Sequence, residues 1–187
     1  MHGMLPQGAP DTAEQPDLLD RIRAFSFDEE GAAFPFAARL ARENRWSRRY
    51  AERAIEEYRR FMFLAMTAGH PVTPSDQVDQ VWHLHLLYTR SYWDSFCGTV
   101  LGRPIHHGPT RGGRQEGAKF HAWYDRTLAS YNRLLGERPP ADIWPNAAIR
   151  FGEDLLHVRV NAGRNWIIPK ARLMPRWLRA MAADRRD

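Results

Sequence analysis

The sequence predicts a mainly α-helical domain, a bundle of about five helices with a small C-terminal β-hairpin extension. Three observations carry that expectation. Apolar residues recur at helical spacing through much of residues 15–136, Pro and Gly stand where such segments start and stop, and β-branched and aromatic runs appear only beyond residue 150. At 187 residues, 43% of them hydrophobic and seven of them Trp, the chain can bury one core of ordinary domain size. The organisation expected is a disordered segment over 1–14, a helical domain over 15–136, a hairpin extension over 137–170 packed on that domain, and a basic tail over 171–187.

Residues 1–14 are rich in Gly, Pro and small polar residues and show no periodicity. From Pro16, the positions of Leu18, Leu19, Ile22 and Phe25 predict a first helix. Pro35, acceptable in a first turn, opens a second with Phe36 and Leu40 inward. In the third, Ser47 is the N-cap and Gly69 the C-terminal stop. Ala51, Ala54, Ile55, Tyr58, Phe61, Met62 and Ala65 form its apolar stripe. Its other face, with Arg48, Arg49, Arg53, Glu56, Glu57, Arg59 and Arg60, is read as solvated.

After His70-Pro71, Thr73 is a good N-cap, Pro74 suits the first helical position and Asp76 the first turn, so a fourth helix is expected to run to about Cys97. A loop rich in Gly and Pro spans 98–113. The fifth helix, about Gln115 to Leu135, turns Phe120, Trp123, Tyr124, Thr127, Tyr131 and Leu134 inward and closes at Gly136. Leu155–Val160 and Arg164–Ile168, around Asn161-Ala162-Gly163, read as the hairpin. Leu173, Trp177, Leu178 and Met181 suggest a short basic helix in the tail.

The charge is uneven. Residues 170–187 hold six cations against two carboxylates and so account for four of the net +5 charges. The remaining body is nearly neutral, which argues against nucleic-acid binding despite a pI near 9.8. The tail could dock on an acidic surface or a protein partner, the alternative to a solvated terminus. No run of apolar residues is long enough for a membrane span, and no basic-then-apolar leader is visible. With a single cysteine, Cys97, the expected location is the cytoplasm.

One constellation invites chemistry: Asp79, His83 and His85 in the fourth helix, followed by His106-His107 in the loop. At about 100° per residue, His83 and His85 point roughly 200° apart and cannot share an ion from a regular helix. Asp79 and His83, four apart, share a face, on which Arg90 and Cys97 would also fall. There the carboxylate can ligate beside the imidazole or orient it. His85 falls on the other side among Val78, Val81, Trp82, Tyr92 and Phe96, where burial demands a hydrogen-bond partner or an ion. His106 or His107 can swing back from the loop to complete the set. The expected ligands are thus drawn from Asp79, His83, His85, His106 and His107, with Trp82 and Cys97 as structural neighbours. His121, one turn before Asp125, is a further donor whose plain role is pairing with that carboxylate. A divalent transition metal is the implied cofactor, zinc or iron foremost, although the donor set also suits copper and nickel.

Neither His-Glu-x-x-His nor Cys-x-x-Cys is present, nor are a Gly-x-Ser-x-Gly elbow, a phosphate-binding Gly-x-x-x-x-Gly-Lys-Ser/Thr loop or a Gly-x-Gly-x-x-Gly turn. Whether the site is catalytic is left open. Cys97 at a helix end among aromatics is read as core rather than nucleophile.

The stretch Pro74-Ser75-Asp76-Gln77-Val78-Asp79-Gln80-Val81-Trp82-His83-Leu84-His85 resembles the glycine-rich domain-containing protein-like family of plants and bacteria. Tyr58-Arg59-Arg60-Phe61-Met62 before it, and Tyr92 and Leu101-Gly102-Arg103-Pro104-Ile105-His106-His107 after it, extend the likeness over about residues 45–136. The resemblance implies a helical domain and names no reaction. It places the family pattern on Asp79, Trp82, His83, His85 and His107, with His106 as a bacterial variant. Plant relatives add a glycine-rich tail and in some cases an RNA-recognition module. The 13 Gly here are scattered, so neither addition carries over.

Overall fold

A computed structural model describes residues 15–28, 30–108, 114–152 and Trp166. The chain divides into two units, Met1–Leu155 and Leu156–Asp187. Among the described residues there are seven helices, all in the first unit: α1 (Gln15–Ala24), α2 (Phe36–Asn44), α3 (Arg48–Thr67), α4 (Asp76–Leu87), a π-helix (Ser91–Leu101), α5 (Arg114–Leu135) and α6 (Ala147–Gly152). This corrects the expected five helices with a hairpin. The fourth predicted helix is two elements, the short α6 went unread, and no strand occurs among the described residues. The segments read as a hairpin, 155–160 and 164–168, fall outside the described residues apart from Trp166, as do the expected disordered segment 1–14 and the basic tail 171–187.

Helix α3 is the axis of the fold. Its Ser47 cap accepts the Tyr50 amide at 3.2 Å, satisfying one of the donors that a helix start leaves free. Ala51, Ala54, Ile55, Tyr58, Phe61, Met62 and Leu64 are buried along it, and α1, α2, α4 and α5 pack around it. Its polar face is only partly solvated. Glu57 is buried, and its Oε2 accepts from the Tyr131 hydroxyl and from Trp144 Nε1, each at 2.9 Å, while Arg60 lies 3.5 Å from Oε1. Burial pushes the Glu57 carboxyl above the usual carboxylate range, and these donors offset that only in part. One carboxylate therefore ties α3 to α5 and to the turn before α6.

The start of α4 also differs from the expectation. The cap is Ser75, whose Oγ accepts the Val78 amide at 3.2 Å, while the Thr73 amide donates to Thr127 Oγ1 of α5 at 3.0 Å. Helix α4 ends at Leu87, where Tyr88 leaves helical geometry (φ −88°, ψ 63°). The chain then rewinds as the π-helix. Tyr92, Phe96, Cys97 and Leu101 are buried along it at intervals of four and five, the spacing that an i→i+5 ladder stacks on one side. A continuous α-helix through 76–97 would not hold that register. Gly102, at φ +73°, caps the π-helix and starts the loop toward His107, a left-handed turn that glycine adopts without a Cβ clash.

Candidate metal centre

The first turns of α4 present two of the predicted donors. Asp79 and His83 lie four residues apart on one face, with Asp79 Oδ2 3.7 Å from His83 Nε2. The loop after the π-helix brings the third, as His107 Nε2 lies 2.8 Å from Asp79 Oδ1. The two imidazole rings sit 4.6 Å apart between centroids. One ligand atom from each of Asp79, His83 and His107 falls within 4.8 Å of the others. This His/Asp cluster is capable of holding a metal ion.

The chemistry of the set fits. Nitrogen and oxygen donors about 2.0–2.1 Å from a tetrahedral ion stand about 3.3–3.4 Å from one another. The observed separations of 2.8 Å to Asp79 Oδ1 and 3.7 Å to Oδ2 bracket that value. Asp79 and His107 are mostly covered, with side chains 18% and 19% exposed, whereas His83 is 51% exposed. Trp82 walls the site, its ring 4.5 Å from that of His107 at an angle of 69°. The arrangement has a covered side and an open one.

The other predicted residues lie elsewhere. His85 is fully buried on the opposite side of α4, as the helical arithmetic implied, and belongs to the core rather than the cluster. Its Nδ1 pairs with the Tyr58 hydroxyl at 3.0 Å and its Nε2 with Ser91 Oγ at 3.3 Å. Phe25, Phe27, Phe36, Tyr92 and Phe96 surround the ring. This burial lowers its pKa to about 3, so it is neutral. His106 is exposed and rests on Trp93 at 5.3 Å, facing away from its neighbour's role. His121 packs on Phe151 of α6 at 4.7 Å. Cys97 is 2% exposed and sits in the core. Arg90 leaves the predicted shared face because the α-helix stops before it.

What sequence reasoning missed is the hydroxyl of Tyr92. It stood in the apolar stripe, yet it links α4 to the loop that carries His107.

A family profile described as UCP032817-like matches residues 19–121, more than half of the chain and all three clustered residues. The chain belongs to the UCP032817-like family. Beyond that family assignment, it is distantly similar to two Arabidopsis thaliana proteins. Glycine-rich domain-containing protein 1 is 25% identical over 124 residues, covering 64% of this chain and 14% of the relative. Glycine-rich domain-containing protein 2 is 23% identical over 109 residues, covering 56% and 14%. The chain thus matches a small part of either plant protein. No solved structure matches it. Among the described residues, no helix is long and apolar enough to cross a membrane.

Proposed function

We propose that this UCP032817-like chain is a metal-binding helical domain in which Asp79, His83 and His107 are the three protein ligands of one divalent transition ion, zinc or iron. The observation that supports this reading most is the convergence of the three donors from a helix and a separate loop, 24 residues beyond His83 in the chain, onto one point. Two neutral imidazoles and a carboxylate suit borderline transition ions better than calcium or magnesium, which prefer oxygen. An ion in that position would supply a Lewis acid and lower the pKa of coordinated water toward about 7.

The chain's own residues prepare the place. Asp79 engages His107 through Nε2, so the carboxylate already gathers the loop imidazole. An ion held at Nε2 would take the place of that hydrogen bond, with the ring proton of His107 carried on Nδ1. His83, half exposed, closes the set from the solvent side, and three protein ligands leave a position open to exchange.

Metal content of the untagged protein tests the reading. The wild-type chain is expected to retain close to one equivalent, and His83→Ala, a change at a half-exposed side chain, to retain several-fold less. A wild-type content below about a tenth of an equivalent, unchanged in His83→Ala, contradicts it.

A further inference from the structure

We propose that Tyr92 is a positioning residue for the metal centre, fixing the loop that delivers His107 through a relay from Trp82 to Tyr92 to Ile105. This rests on the metal reading above and concerns how its one non-helical ligand is held. Trp82 Nε1 donates to the Tyr92 hydroxyl oxygen at 2.9 Å, and the Tyr92 hydroxyl donates to the Ile105 carbonyl at 2.5 Å. An indole N–H can only donate and a carbonyl oxygen can only accept, so the direction of the relay is fixed. Both rings are buried, Trp82 at 6% and Tyr92 at 0% exposure, and no water competes for these groups cheaply.

Ile105 stands two residues before His107. With its carbonyl pinned, only one residue separates the anchor from the ligand, and the chain reaches about 3.3–3.6 Å per residue at most. The imidazole is held from a second direction by the ring of Trp82. Trp82 therefore starts the relay and walls its end, from a position between Asp79 and His83 on α4. At the beginning of the loop, Arg103 donates to the Ala65 carbonyl of α3 at 3.2 Å. A loop ligand ordered in advance binds an ion without losing its own freedom at that moment. The π-helix belongs to the device, since Tyr92 lies in its first turn, and π geometry recurs at functional sites.

Cobalt(II) titration of the full chain, followed by visible absorption, tests the proposal. Tyr92→Phe keeps the ring and removes the hydroxyl, and the expected result is a cobalt affinity about 10–100-fold weaker, the usual effect of removing an outer partner of a ligand. Tyr131→Phe is the control: it removes a comparably buried hydroxyl that binds Glu57, and its affinity should stay within about threefold of wild type. Equal affinities for wild type and Tyr92→Phe overturn the proposal while leaving the metal reading intact. A wild-type chain without cobalt bands defeats the metal reading, and hydrogen–deuterium exchange on the metal-free chain then decides the relay alone. The relay predicts about tenfold faster uptake over residues 103–108 in Tyr92→Phe, and unchanged uptake overturns it. Should Tyr92→Phe fail to fold cooperatively, Trp82→Phe, which removes the first donor, is read in the same two assays with the same expected direction.

Discussion

At the residue scale, the two histidines that flank Leu84 illustrate how environment divides one side-chain type into two roles. His83 stands half in solvent beside a carboxylate, while His85 is sealed among aromatic rings with both nitrogens paired. The burial of His85 has a consequence for stability. In the unfolded chain its imidazole takes up a proton near pH 6.5, but in the folded chain it does so only near pH 3. Between those values the unfolded state binds the extra proton, so stability falls as pH falls, by up to about 1.4 kcal/mol per pH unit from this group. His85→Gln removes the titration. Urea denaturation of both proteins between pH 7 and 4 should therefore show a shallower pH dependence in the variant, whatever its stability at neutral pH. Parallel profiles would show that His85 does not stay neutral in the fold.

The element scale explains what could be read before any coordinates and what could not. Helices α1, α2, α3 and α5 carry apolar stripes that fit a period of 3.6, and all four stand where that period put them. In α4 the donors Asp79 and His83 were legible for the same reason. The break at Tyr88 was not, because Tyr92 and Phe96, four apart, fit an α stripe as well as a π one, and only Leu101, five further on, departs from it. Thr73 and Ser75 are both good caps by chemistry; the helix takes Ser75, while the Thr73 amide donates across to Thr127, a tertiary bond that no local pattern records. Helix α6, at six residues, is too short to show periodicity. Since Ser75 is fully buried, no water can replace its hydroxyl at the start of the helix that carries Asp79 and His83. Ser75→Ala is expected to destabilise the protein by about 1–2 kcal/mol in urea denaturation. A loss smaller than about 0.3 kcal/mol would show that the cap is not a support of α4.

At the scale of the whole molecule, the candidate site is a meeting of one rigid element with one long connection. Loop spacing alone offered His106 and His107 alike, since adjacent loop residues differ only in which way the backbone turns them, and only the family resemblance singled out His107. The relay through Tyr92 and Ile105 favours His107 for the site, and Trp93 takes His106. Glu57 shows the reverse error: helical spacing placed it on a solvated face, but α5 and Trp144 cover that part of α3. Charge patterning describes one helix at a time, whereas burial is decided by its neighbours. Both outcomes turn on long-range packing around α3, against which α4 and α5 both lie. The Asp79, His83 and His107 cluster depends on that packing, because its donors come from separate segments of the chain.

Anomalous diffraction from crystals of the protein grown with zinc, collected on both sides of the zinc absorption edge, shows whether Asp79, His83 and His107 share one ion. A single peak is expected about 2.0–2.2 Å from one Asp79 oxygen and from Nε2 of both His83 and His107. A peak at His106 or His121 with none between those three side chains, or no ordered peak at all, would contradict it.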